Sequence, residues 1–272
     1  MLYAKRRSGY GLYASAPEQA MRHLVDDDSE RPAAGEMAFL QPLFDRLAAR
    51  DSASGGLPFV TLSYAQSVDG SITARPPRPF ALSSEKSFAM THLLRSRHDA
   101  LLVGINTVLI DDPRLTVRLC AGDNPQPVVL DSRLRFPDAA RLLAHPDKLP
   151  LLFTTAAAPA GEIARLEAKG ASVHVLPKDR MGWVDLITAL QCLADRGMKS
   201  LMVEGGASVI NSFLQSRLVD YCVITVVPKL IGGVKAVENL CPSDDLPPLS
   251  IVDCRYQPLG GDLIIHGALG KG

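Results

Sequence analysis

Several short runs in this 272-residue chain are apolar at every position, Leu101-Leu102-Val103 and Val128-Val129-Leu130 among them. A strand with one wet face alternates apolar and polar side chains. A strand apolar throughout must be covered on both faces, which is the condition of a parallel sheet with helices above and below it. On this reading strands fall at 59–64, 100–104, 128–131, 151–154, 172–176 and 200–204, and helices at 84–97, 161–169, 184–196 and 207–215. The 184–196 helix carries Leu186, Ile187, Leu190, Leu193 and Ala194 on one stripe, with Gly197 placed to stop it. Beyond it the pattern changes. Segments 220–227, 250–256 and 262–266 read as strands joined by loops, which predicts an antiparallel edge on an α/β fold.

The first 56 residues have a different character. They hold Asp26-Asp27-Asp28, then Arg31-Pro32, and they close on Ser52-Ala53-Ser54-Gly55-Gly56. Between lies one helical stripe of Phe39, Leu40, Leu43, Phe44 and Leu47, starting near Pro42. Residues 1–56 are therefore read as an extension whose amphipathic helix docks on the main domain or on a partner, and residues 57–272 as the main domain.

Bulk properties exclude several classes. Lys+Arg and Asp+Glu each total 29, so the net charge is zero, against a nucleic-acid or membrane-surface protein. No apolar run reaches the roughly 18 residues of a membrane helix, and the basic N-terminus lacks the apolar stretch of a secretory signal. The five cysteines (Cys120, Cys192, Cys222, Cys241 and Cys254) form no CxxC pair and read as reduced thiols of a cytoplasmic protein. No His-x-Glu, Cys-x-x-Cys or close His pair offers metal ligands, so no metal is expected.

Four segments could carry chemistry. Ala65-Gln66-Ser67-Val68-Asp69-Gly70 places a carboxylate at a turn beyond a strand end, where α/β sheets bind ligands; it also reads as a plain turn. In Glu204-Gly205-Gly206-Ala207-Ser208 a buried strand ends in a carboxylate, two glycines admit a close ligand, and a helix begins. A helix N-terminus attracts anions such as a pyrophosphate, although the same run serves as an ordinary strand-to-helix turn. Segment 107–118 holds Asp111-Asp112-Pro113 and then Arg118, a guanidinium that is costly to bury unpaired. Asp131-Ser132-Arg133-Leu134-Arg135 puts a hydroxyl and arginines after an apolar strand, either as a polar loop or to hold an adenosine 2′-phosphate.

Taken in order, AQSVDG (65–70), LLRSRHDALLVGINTVLIDDPRLTVR (93–118), PVVLDSRLR (127–135), VEGGASVINSFL (203–214) and LVDYCVITVVPKLIGG (218–233) resemble the pyrimidine reductase family of riboflavin biosynthesis. That family includes the reductase domain of the bacterial bifunctional deaminase-reductase. The resemblance implies a dihydrofolate reductase-like three-layer fold, NADPH as hydride donor, a homodimer, and reduction of the ribose of a phosphoribosylamino-pyrimidine. It implies cofactor contacts at Gln66, Thr107, Asp111, Ser132 and the Gly206–Ser212 loop-helix with Ala207, Ser208 and Val209, to which the reading of the residues adds Gly205 and Arg133. Substrate contacts fall at Arg95, Leu115, Arg118 and Glu204, with Glu204 first and Asp69 second as proton donor. Two departures stand out: Ser63 where bifunctional members have lysine, and Pro79-Phe80-Ala81 in place of a Ser-Gln-Trp-like stretch. They leave a second reading, reduction of another heterocycle such as a dihydropterin, and a third, a non-catalytic NADP-binding protein. The deaminase motifs are absent from the sequence.

Overall fold

The computed structural model describes residues 35–51, 56–75, 81–238, 240 and 248–270. The acidic run at 26–28, Arg31, Pro32, linker residues 52–55, Pro79, Phe80 and Cys241 lie outside them. In chain order the elements are α1 (Gln41–Asp51), β1 (Phe59–Ser67), β2 (Ser71–Thr73), α2 (Glu85–Arg95), β3 (Ala100–Gly104) and α3 (Ile105–Asp111). Then come β4 (Gln126–Leu130), β5 (Leu151–Thr154), α4 (Ala160–Glu167), β6 (Ser172–Val175), α5 (Leu186–Ala194), β7 (Ser200–Gly205) and α6 (Ala207–Gln215). The chain closes with β8 (Tyr221–Val227), β9 (Val234–Lys235), β10 (Ile251–Leu259) and β11 (Asp262–Leu269).

Nine strands form one sheet in the order β10-β11-β8-β1-β7-β3-β4-β5-β6, and β2 pairs with β9 in a separate ribbon. The wholly apolar runs have the predicted place: β3 is buried at all five positions and lies between parallel partners β7 and β4. The expected antiparallel C-terminal edge is present in β10 and β11, but segment 220–227 lies inside it. β8 pairs parallel with β1, from Thr61↔Tyr221 to Ser67↔Val227, and so belongs to the interior. In this sheet the antiparallel pairings are β11 against β8 and β10 against β11. Loops do follow β8, but its direction is set by the connection before it, α6 crossing from β7 past β1.

Two apolar clusters make the layers. On one face Met90 and Leu94 of α2, Ile105 and Val108 of α3 and Leu166 of α4 pack on Leu101, Val129, Leu152 and Met202. On the other, Leu186, Leu190 and Leu193 of α5 and Ile210, Phe213 and Leu214 of α6 pack on Val60, Leu102, Val128 and Val203. Helix α1 belongs to the first cluster. Leu40 and Leu43 are fully buried, together with Met37 and Leu47, among Met90, Leu94, Tyr221, Val223 and Ile264. The stripe found in the extension therefore docks on the sheet's own core, and each buried leucine contributes about 1.5–3 kcal/mol relative to exposure.

The helix ends follow local rules. Ser84 caps α2 by accepting from the Ser87 amide, and Asp185 caps α5 by accepting from Thr188. That second cap starts α5 later than 184, where Val184 instead bridges to Lys178.

Candidate active site

The carboxyl ends of the parallel strands share one edge of the sheet, where open α/β folds place ligands. At its centre β7 runs into a turn that only glycine tolerates: φ is +86° at Gly205 and +97° at Gly206. A Cβ on Gly205 would lie 2.6 Å from Ile210 Cγ1, and one on Gly206 would lie 3.2 Å from Thr107 Oγ1. The Thr107 hydroxyl donates to the Gly205 carbonyl at 3.0 Å, fixing the turn from α3. Gly104 lets α6 approach, since a Cβ there would meet Val209 Cγ2 at 2.7 Å. No side chain caps α6, whose N-cap is Gly206. Its first intrahelical bond runs from Ile210 N to Gly206 O, so the amides of Ala207, Ser208 and Val209 have no acceptor within the helix. This cradle, too tight for any side chain and lined with backbone donors, fits a phosphate group of a dinucleotide.

Immediately before the glycines, Glu204 accepts two bonds from Arg95 of α2: Nε to Oε1 at 2.6 Å and Nη2 to Oε2 at 2.7 Å. Both side chains are largely buried, at 9% and 15% exposure, so the bidentate pair is screened little. Arg95 Nη1 donates onward to the Thr116 carbonyl at 3.0 Å, and Arg118 Nη1 donates to the Thr116 hydroxyl at 2.5 Å. One residue thus receives both arginines. Leu115, beside it, is held at φ +52° with its side chain in the core, so only its backbone can face a ligand. Non-glycine residues rarely adopt that conformation, and where they do the surroundings enforce it. The sequence reading had placed Arg95, Leu115, Arg118 and Glu204 in one site, and these contacts bring all four together.

Asp69 is enclosed by the loops around the end of β1. Its carboxylate accepts from Ser67 Oγ at 2.6 Å, Ser71 Oγ at 2.7 Å, Ile231 N at 2.8 Å, Gly232 N at 3.0 Å and Lys235 Nζ at 2.6 Å. These partners, Lys235 foremost, hold its carboxyl far below the usual carboxylate range. These contacts commit the carboxylate to its own loop. Asp69 pins the loop 228–233 and the β2–β9 ribbon against the end of β1.

The remaining expected contacts are spread along the same edge. Gln66 lies half-buried near the end of β1, opposite Val226. Asp111 and Ser208 are exposed. Ser132 is turned inward: its hydroxyl accepts from the Val184 amide at 3.0 Å and its carbonyl from Thr155 Oγ1 at 2.8 Å. That commitment makes it a loop anchor, with the exposed Arg133 next to it. Ser63 is buried on β1 one residue beyond Leu62, the register partner of Val203, and so sits in the row of Glu204. Two open concavities of about 340 and 350 Å³ lie elsewhere, one beside Phe59 and Arg217 and one beside Phe39 and Gly260. Neither is lined by Glu204 or the glycine turn, so the chemistry and the strand ends place the site.

Sequence reasoning missed His92, Thr116 and Lys235. His92 carried a signal, standing three residues before Arg95 and hence on the same helical face. Lys235 carried none, because its contact with Asp69 joins distant parts of the chain.

A mostly parallel sheet covered on both faces, with an arginine–glutamate pair and a glycine turn at its central strand ends, defines the class as an α/β protein with its candidate site at the strand-end edge. The family model described as the RibD C-terminal domain matches residues 58–264, and the chain belongs to that family. It is 39% identical over 216 residues to the 2,5-diamino-6-ribosylamino-4(3H)-pyrimidinone 5′-phosphate reductase of Methanothermobacter thermautotrophicus, covering 77% of this chain and 97% of that one. It is 37% identical over 191 residues to the protein of the same name from Debaryomyces hansenii, covering 64% of this chain and 76% of that one. Among solved structures, the Saccharomyces cerevisiae riboflavin biosynthesis reductase Rib7 superposes with a TM-score of 0.68 at 26% identity, covering 86% of this chain and 99% of that one.

Proposed function

We propose that this chain is an NADPH-dependent reductase of riboflavin biosynthesis that converts the ribosylamino group of a pyrimidinone 5′-phosphate to the ribitylamino group. The observation that carries the reading is the buried Arg95–Glu204 pair abutting the Gly205-Gly206 turn, in a chain similar along most of its length to reductases named for that substrate. NADPH would supply the hydride that reduces C1′ of the opened sugar. The amides after Gly206 would hold its phosphates, with Thr107 fixing their turn, and Arg133 would meet the 2′-phosphate.

Arg118 would grip the substrate 5′-phosphate. Three nitrogens of Arg95 are already engaged, by Glu204 and the Thr116 carbonyl, so Arg95 chiefly orients the glutamate. Glu204 would present its remaining lone pairs to the pyrimidine or sugar. With Asp69 committed to its loop, Glu204 is the candidate to move a proton to the ring oxygen as the sugar opens.

The deamination state is proposed from Ser63. A neutral hydroxyl in the row of Glu204, where bifunctional family members have lysine, suits the 2,5-diamino substrate of the relatives above. A homodimer is proposed from the outer strands, where Tyr256 of β10 is 64% exposed and Leu263 of β11 38% exposed. Cys120, Cys192, Cys222 and Cys254 are free thiols, in keeping with work in the cytoplasm.

Following NADPH oxidation with the diamino substrate, its deaminated counterpart and a dihydropterin tests the reading. Turnover of the diamino compound is expected. Consumption of NADPH with the dihydropterin alone would replace the proposal with the second reading, and no consumption with any would refute enzymatic reduction.

A further inference from the structure

His92 lies fully buried on α2, one helical turn before Arg95. Its Nδ1 accepts the backbone N–H of Arg118 at 2.9 Å. The neutral ring with its proton on Nε2 is the only form able to do this, because a proton on Nδ1 would face another N–H. Burial, with the charges of Arg95 and Arg118 adding to it, holds the imidazole at a pKa of about 3. Nε2 is buried with no hydrogen-bond partner among the described residues. Phe88 packs edge-on against the ring, with centroids 4.9 Å apart. An unpartnered buried N–H is costly, so the chain gains something from a histidine here that an apolar residue could not give.

What it gives is a fixed backbone in a segment without secondary structure. Between the left-handed Leu115 and Arg118, three side chains from elsewhere hold successive residues. Arg95 donates to the Thr116 carbonyl at 3.0 Å, Asn124 Oδ1 accepts the Val117 amide at 2.6 Å, and His92 accepts the Arg118 amide. Of the three, only His92 bears on the residue whose guanidinium is to meet substrate. We infer that His92 is a positioning residue that aims Arg118 at the substrate phosphate through the Arg118 amide; this rests on the proposed role of Arg118. His92 touches neither substrate nor cofactor. It fixes where the Arg118 side chain departs from the backbone, and misplacement by a fraction of an ångström weakens a bidentate contact.

The test pairs His92→Phe, which fills the space without an acceptor, with His92→Asn, whose Oδ1 can stand in for Nδ1. With the phosphorylated substrate His92→Phe should raise KM about tenfold or more, the loss falling on KM rather than kcat, and His92→Asn should recover most of it. With the dephosphorylated substrate wild type and variants should agree, and NADPH affinity should be the same in all. An unchanged KM in folded His92→Phe, or equal losses in both variants, overturns the proposal. Arg118→Ala, measured alongside, should abolish the preference for the phosphorylated substrate. If it does not, the role of Arg118 fails, and with it what His92 aims. Nitrogen NMR of the wild-type protein labelled at histidine needs no variant to fold. It should show Nδ1 of His92 unprotonated and coupled to the Arg118 amide, and the opposite tautomer would refute the contact itself.

Discussion

Asp69 and Lys235 meet at 2.6 Å, joining the turn after β1 to strand β9 across 166 positions of the chain. The same carboxylate takes the amides of Ile231 and Gly232, so one side chain holds the whole loop at the end of β1.

Replacing Asp69 with Asn should therefore loosen this loop. It should raise KM for substrate and lower the melting temperature, while the hydride step persists at saturation. The pH dependence has a defined sign. A carboxyl held below its ordinary value of 3.8 contributes stability that is whole above that value and lost as the pH falls below it. Melting curves between about pH 5 and about pH 3 should fall more steeply for wild type than for Asp69→Asn. Parallel curves would show that Asp69 does not anchor the loop as an anion.

Glu204→Gln keeps the shape of the buried pair and removes its charge. Breaking one partner of such a pair leaves Arg95 buried without its counter-ion, a cost of about 3–5 kcal/mol. We expect kcat/KM to drop roughly 100-fold or more, with NADPH binding little changed. A variant with wild-type kcat/KM would remove Glu204 from the reaction.

The strand ends were legible in the sequence because continuous apolar runs and glycine pairs announce themselves locally. Ala100–Gly104, Leu151–Thr154 and Ala207–Gln215 agree with their expected bounds, and Arg95, Leu115, Arg118 and Glu204 do form one cluster. The role of Asp69 was not legible. Nothing near it in sequence reveals that Lys235 and the 231–232 amides close around it, and a carboxylate at a turn reads alike as acid or anchor. The inward turn of Ser132 was hidden for the same reason, its partner Val184 lying on another loop. The parallel pairing of β8 was hidden because its crossover, α6, also serves as the glycine-turn helix.

Gly206→Ala tests the cofactor cradle. The added methyl would strain a φ of +97° and press on Thr107 Oγ1 at 3.2 Å. The strain is about 1–2 kcal/mol, and the displaced amides should weaken NADPH binding at least about tenfold in a fluorescence titration. Equal affinity in wild type and variant would place the phosphates elsewhere.

Arg133→Ala addresses cofactor choice. The exposed guanidinium follows β4 on a loop anchored by Ser132. NADPH affinity should fall by about 1–2 kcal/mol, as for loss of a charged hydrogen-bond partner, and NADH affinity should stay the same. Matching losses for the two cofactors would rule out a 2′-phosphate contact.

Leu43→Ala should cost about 2–5 kcal/mol of stability, since the side chain is fully buried in the core that α1 shares with α2 and β8. Deleting residues 1–55 should be worse, exposing Met90, Leu94 and Tyr221, and should yield aggregated or thermally weak protein. Activity per folded molecule should survive, because every proposed site residue follows Phe59. A stable truncation with the wild-type melting temperature would show that α1 adds nothing to the core.

The central position of β1 sets an order on biosynthesis. Phe59 finds its neighbour in Ser200 and Thr61 finds another in Tyr221, so the strand leaves the ribosome long before either exists. Until then a nine-residue segment containing Val60 and Leu62, both buried in the finished protein, lacks both of its partner strands. Pairing so distant in sequence closes slowly, and exposed strands of this kind are prone to aggregate. A nascent chain halted before Ser200 would hold Arg95 without Glu204, its partner. The unit β3-β4-β5-β6 is complete by Val175, and β1 joins it only once β7 has been made to lie between them.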